Sequence, residues 1–258
     1  MRLSTIPLAA ALLLFVALAH ADASQPAASD RAVVTRRRIV LVRTGRLARQ
    51  FPERRRAVVH LPVVSGIADA RVLRKVRATL DLKNVFDSTL AEYRQDAWLE
   101  EIDFKVNYNK HHLLDITIWQ TGTGAYPDSQ QEHYTFDLRT GDVLKAKDVF
   151  AAGALGALAA MADGRLREEV REIVAAVEQD QGIASEERPS LKESLAGLSF
   201  GVEHLDNFVV SDRGLTFLYD AGFPHVIKAL EPAGEYFFTY AQLAPYIRRD
   251  GPLGRFVK

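Results

Sequence analysis

The chain has 258 residues, 48% of them apolar, with 33 basic and 33 acidic side chains and no cysteine. That length holds one large domain or two small ones, and the apolar share is ample for a core. The absence of cysteine excludes disulfides, thiolate chemistry, cysteine metal sites and a lipid-modified cysteine.

The N-terminus reads as a targeting segment rather than as structure. Arg2 precedes the unbroken apolar run Leu8–Leu18, and Ala19-His20-Ala21 has the small-x-small form of a cleavage site. A permanent span needs roughly 20 apolar residues, so residues 1–21 are expected to be a cleaved signal peptide and the mature chain to begin near Asp22. The expected location is periplasmic or secreted, without a lipid anchor or a later membrane span. Residues 22–37 read as a flexible basic linker, opening with an Ala/Ser/Pro-rich stretch. Between Arg31 and Arg56 stand ten arginines against one acid, Glu53. Such a segment attracts anions, and export argues against nucleic acid as the partner.

A single domain is expected over 38–250. Ile39–Val42 and Ala57–Val64 have the β-branched composition of strands, with Pro62 placing the second at an edge or bulge. Asp69 is set to cap a helix whose apolar side carries Val72, Leu73, Val76 and Leu80. A second amphipathic piece spans Val85–Tyr93. A strand over 98–107, a turn at 107–110 and a return strand through Leu114, Ile116 and Ile118 make a hairpin. The return strand ends at Trp119-Gln120, followed by a loop over 121–128. Tyr134, Phe136 and Leu138 then alternate with polar residues, and Gly141 gives the turn its backbone freedom.

Gly153–Ala162 is a weak helix. The run through Leu166, Val170, Ile173, Val174 and Val177 is the clearest one, supported by an Arg165–Glu169 pair and closed at Gln181-Gly182. A helical turn at Leu191–Leu195 precedes the hairpin Phe208–Tyr219, a strand through Tyr236, Phe238 and Tyr240, and a short final helix. This order gives an α+β fold, a mostly antiparallel sheet built from hairpins with two or three packed helices.

The run Tyr134-Thr135-Phe136-Asp137-Leu138-Arg139-Thr140-Gly141-Asp142-Val143-Leu144, followed by Lys147-Asp148-Val149-Phe150, resembles the extracytoplasmic domain of the RsiV-type, lysozyme-responsive anti-sigma factors. That domain also occurs beside peptidoglycan deacetylases and as free-standing exported proteins. Leu61–Gly66 and Asp212-Arg213-Gly214-Leu215 add to the likeness, which covers about 57–248. The resemblance implies a lysozyme-like protein or peptidoglycan as partner. Neither the anti-sigma segment nor the deacetylase domain is read in these 258 residues, so neither activity is expected of them. It has Gly124-Ala125-Tyr126-Pro127 where similar proteins often carry a Gly-rich loop ending in His-Pro.

Reactive chemistry finds little footing. His111 and Asp115, like His133 and Asp137, share a strand face but would stand about 13 Å apart, too far for one ion. There is no metal-ligand spacing, no nucleophile elbow, and no helix start behind Gly122-x-Gly124 to cradle a phosphate. No catalytic residue, metal or cofactor is therefore expected. Recognition residues are expected at Trp119, Gly122, Gly124, Tyr126 and Pro127, where exposed aromatics sit beside Gly and Pro. The reading is an exported, non-enzymatic domain binding a cell-envelope protein or glycan. The alternative is a small hydrolase pairing His112 or His133 with Asp137 across strands.

Overall fold

The hairpin between β3 (Leu99–Lys110) and β4 (Leu113–Thr123) turns at His111-His112, the backbone of both in the left-handed region at φ 60° and 61°. A two-residue turn with positive φ at both positions matches the twist of its flanking strands. It lies beyond the turn expected at 107–110, whose residues continue the strand. The computed structural model describes residues 30–257. The expected signal peptide and residues 22–29 lie outside the described residues. Among these, no helix is long and apolar enough to cross a membrane.

Six strands form the main sheet in sequence order: β1 (Val33–Val42), β2 (Arg56–Ser65), β3, β4, β5 (Pro127–Asp137) and β6 (Asp142–Val143). All neighbours are antiparallel except β2 and β3. A parallel pair needs a crossover. Here the crossover contains α2 (Ala70–Thr79), α3 (Leu82–Phe86) and α4 (Leu90–Gln95), after the short α1 (Gly45–Gln50) between β1 and β2.

Asp69 caps α2, its carboxylate accepting from the Arg71 and Val72 amides at 2.7 and 3.4 Å. The amphipathic stretch expected over 85–93 is broken at Asp87, whose left-handed backbone ends α3, and Thr89 and Glu92 then cap α4 reciprocally. Val76, Phe86 and Tyr93 pack with Val59, Ile102, Ile116, Ile118 and Phe136 into one core on the back of the sheet.

Residues 33–37, expected to be linker, belong to β1, where Val33, Val34 and Thr35 pair with Ser65, Val64 and Val63. The arginines that made them look like linker are tolerated because β1 is an edge strand.

The second core lies under a three-stranded sheet of β7 (Phe208–Val210), β8 (Gly214–Leu218) and β9 (Glu235–Thr239). Phe150, Phe208, Phe217 and Phe238 fill it. Around them lie α5 (Ala146–Val149), α6 (Leu155–Gln179) and α8 (Tyr240–Leu243), with α7 (Arg188–Ala196) against α6.

Helix α6 runs unbroken for 25 residues, joining the weak and the clear helix of the sequence. Gly156 and Gly164 each cost about 1 kcal/mol of propensity, but buried Leu158, Ala159, Ala162 and Leu166 carry the helix through. Arg165 pairs with Glu168 instead of Glu169. Glu169 turns to the Ala233 amide and the Tyr236 hydroxyl, at 2.6 and 3.0 Å. Burial of Tyr236, and then Glu169 beside it, raise the phenol's pKa. The fold is α+β with mostly antiparallel sheets, as expected from the order of elements.

Candidate functional site

The β4–β5 hairpin is tighter than the sequence suggests. Thr123 pairs with Pro127, so only residues 124–126 connect the strands. Polar residues 128–132 hid the start of β5, because neither face there is buried and no apolar alternation is required.

Gly122 has a steric reason. A Cβ there would stand 2.2 Å from the Trp98 carbonyl oxygen and 2.7 Å from its indole. That carbonyl accepts the Thr123 amide at 3.0 Å, and the Arg54 guanidinium donates to the Thr123 carbonyl. Replacing Gly122 with alanine must break this seam. We expect a loss of about 1–3 kcal/mol in a urea unfolding series. An unchanged midpoint would show that the tip is loosely held.

The tip forms one wall of a cleft of about 730 Å³, opposite the β8–β9 connection. Gly122, Gly124, Tyr126 and Pro127 all line it, with Trp98, Phe223, His225 and Lys228. Tyr126 is 59% exposed and stacks on His225, ring centroids 4.2 Å apart. Lys228 pairs with Glu231 at 2.5 Å, and that hydrogen bond raises its pKa, so the cleft carries a firmly charged ammonium. Sequence reasoning missed the opposite wall. The available signal was Phe223-Pro224-His225, a loop with two ring side chains flanking a proline.

Trp119 lies apart from these four. It stands on the front face of β4 in a smaller groove with Lys105, Thr117, Gln131, Leu218 and Glu235. A third depression along β5 shares Ser129 and Lys228 with the tip cleft, and Gln131, Leu218 and Glu235 with the Trp119 groove. The three depressions therefore adjoin along the seam between the two sheets.

An imidazole and a carboxylate do meet in this fold, although not the pair anticipated. His112 is in a turn, and Asp137 accepts the Arg139 amide. His133 instead reaches Asp115 on the neighbouring strand, Nε2 to Oδ2 at 3.2 Å, both side chains buried. Asp115 also accepts from the Thr135 hydroxyl, the Asn107 amide and the Val210 backbone amide, at 2.7, 2.9 and 2.7 Å.

Asn107 arrives there because a register shift between Val106 and Tyr108 leaves it unpaired in the ladder. The other ring nitrogen of His133 is engaged by Thr117 Oγ1 at 2.9 Å. Both ring nitrogens are thus bonded, and the side chains of His133 and Asp115 are 3% and 0% exposed. The cluster fastens the small sheet to the large one.

On the open part of the front face, His60, Glu101 and Asp103 offer ligand atoms within 4.8 Å of one another. Neighbouring strands bring them together, which within-strand spacing could not reveal. Arg36 already holds both Asp103 oxygens, one at 2.6 Å. Against the opposing effect of burial, this contact keeps the carboxyl pKa below its ordinary value. A guanidinium in that position competes with any cation.

No protein-family model matches this chain. No curated protein matches it either. Among solved structures, it is similar to a DUF3298 family member from Bacteroides fragilis, with TM-score 0.53 and 13% identity over 88% of this chain and 96% of that one. A DUF3298 family protein from Pseudomonas aeruginosa PAO1 aligns with TM-score 0.49 and 13% identity, over 84% of this chain and 94% of that one. At this identity the Bacteroides likeness concerns the fold: nearly the whole chain adopts the architecture of a DUF3298 protein, a domain of unknown function.

Proposed function

We propose that this is an exported, non-enzymatic binding domain that receives a cell-envelope glycan along the seam between its two sheets. The observation carrying this reading is the row of adjoining depressions from Tyr126 and Trp98 at the hairpin tip to Trp119 on the sheet face. Flat ring faces spaced along a groove with Gln131, Lys228 and Glu235 between them suit pyranose rings and their hydroxyls. Export rests on the apolar run at 8–18 with its Ala19-His20-Ala21 site, and places the protein in the periplasm or outside the cell.

A lysozyme-like protein partner, which the RsiV-type motif around Asp137–Asp142 suggests, has its own support in Tyr126 and Val226, 59% and 86% exposed beside the cleft. A hydrolase is disfavoured by the burial of the His133 and Asp115 side chains, which keeps a substrate from them.

Titrating soluble peptidoglycan fragments into the protein by calorimetry tests the glycan reading, with hen lysozyme in a parallel series. Tyr126→Ala should weaken fragment binding roughly tenfold, the share of about 1.4 kcal/mol expected of one aromatic contact. Fragments that fail to bind at millimolar concentration, or that bind the variant equally, would sink it. Tight binding of lysozyme alone would favour the protein partner.

A further inference from the structure

The outer edge of the main sheet is open. Among the described residues β1 pairs only with β2, in one uninterrupted register. At its end the Arg43 amide donates to the Arg55 carbonyl at 2.9 Å, and 43 and 55 continue that register. Odd-numbered residues of β1 therefore exchange hydrogen bonds with β2, because bonded and non-bonded pairs alternate in an antiparallel ladder. Val34, Arg36, Arg38, Val40 and Val42 point their N–H and C=O groups outward. No backbone bond from a described residue outside the ladder takes them.

Arg36, Arg37 and Arg38 are exposed at the middle of this edge, and Val33, Val40 and Val42 are 53%, 37% and 43% exposed around them. Arg36 holds Asp103, whereas Arg37 and Arg38 have no carboxylate partner among the described residues. Arginine on an edge strand guards against self-pairing. That guard is specific in charge. Two copies of β1, joined antiparallel over most of their length through the outward groups, would set Arg37 against Arg37 or Arg38 against Arg38. Like charges directly opposite destabilise a sheet, and opposite charges there stabilise it. The same edge that rejects a second copy thus favours an acidic strand.

We propose that the free edge of β1 receives an extended acidic segment of a partner protein, which pairs with the outward backbone groups as an added strand. Backbone bonds supply affinity, and Arg37 and Arg38 with the flanking valines select carboxylates bordered by β-branched residues. This site is separate from the glycan site and stands or falls without it.

The test uses the full chain and a fluorescein-labelled peptide, TVEDEVTV, followed by fluorescence anisotropy at physiological salt. Two further copies carry N-methyl groups on alternate amides, one copy in each phase. The parent peptide should bind, and one methylated copy should bind at least tenfold more weakly, since only one set of amides faces β1. Arg37→Glu/Arg38→Glu should weaken the parent to a similar degree. Val40→Pro removes an outward N–H that β2 does not use, so it should also weaken binding while leaving the thermal transition in place.

Equal binding of all three peptides, or indifference to Val40→Pro in a folded variant, would show that surface charge alone attracts the peptide and would overturn the proposal. Absence of binding by the parent would overturn it too.

Discussion

Asp115→Ala lowers the stability of the fold by about 3–5 kcal/mol, the expected cost of removing one side of a buried, hydrogen-bonded charge cluster. The carboxylate is wholly buried and serves the donors of Asn107, His133, Thr135 and the Val210 amide. Truncation strands all of them between the sheets, and each unsatisfied buried donor costs about 1–3 kcal/mol. Asp115→Asn should also destabilise, because its amide nitrogen would face at least one existing donor. Urea unfolding followed by circular dichroism measures the loss. Because β7 is tied to the large sheet through the Val210 amide and the Phe208 carbonyl, hydrogen exchange should rise first in 208–218. A loss below 1 kcal/mol would mean that water replaces the carboxylate and that the cluster is not the fastening between the sheets.

Arg43→Met is expected to cost a similar 3–5 kcal/mol, although methionine restores most of the volume. Arg43 is 1% exposed, and its side-chain bonds are to carbonyls, while Asp96 and Glu100 act on its charge from a distance. Its guanidinium donates to three main-chain carbonyls, those of Asp96, Arg54 and Leu99, at 2.5, 2.5 and 2.6 Å. Burial lowers its pKa, yet an arginine starts so high that it remains charged.

These carbonyls belong to segments that end α4, precede β2 and open β3, so one side chain closes the corner where the crossover returns to the sheet. Apolar replacement leaves three buried acceptors unpaired, at about 1–3 kcal/mol each before relaxation. Arg43→Lys should recover only part, since a single ammonium cannot span the fork. The thermal midpoint should fall by roughly 10 °C. A fall of only 1 or 2 °C would place the corner's stability elsewhere.

Arg43 illustrates what a charge count misreads. In the sequence it is one of ten arginines in a basic segment; in the fold it is buried, while Arg37 and Arg38 stay on the open edge. Nothing in the local composition separates them, because burial of an arginine requires carbonyls from distant segments to converge.

His133 teaches a related lesson. Counting along one strand led only to Asp137, four residues on. The partner came from β4, where Asp115 stands opposite Thr135, two positions along the ladder from His133. Cross-strand neighbours follow from register, and the register of β4 with β5 is carried by the short connection at 124–126.

The sequence by itself determined the elements whose cause is local. Asp69 caps a helix because its carboxylate reaches amides two and three residues on; Gly141 turns the chain because φ of 75° suits a residue without a side chain. The alternation of Tyr134, Phe136 and Leu138 likewise names the face that meets the helices. It also pointed to Gly122, Gly124, Tyr126 and Pro127, which share one cleft wall. Tertiary structure alone decided that 223–228 form the opposite wall, that Trp119 lines a separate groove on the sheet face, and that the polar face of β4 and β5 is covered at one end. Those outcomes depend on how two sheets pack, and packing joins residues about a hundred positions apart that no spacing along the chain can relate.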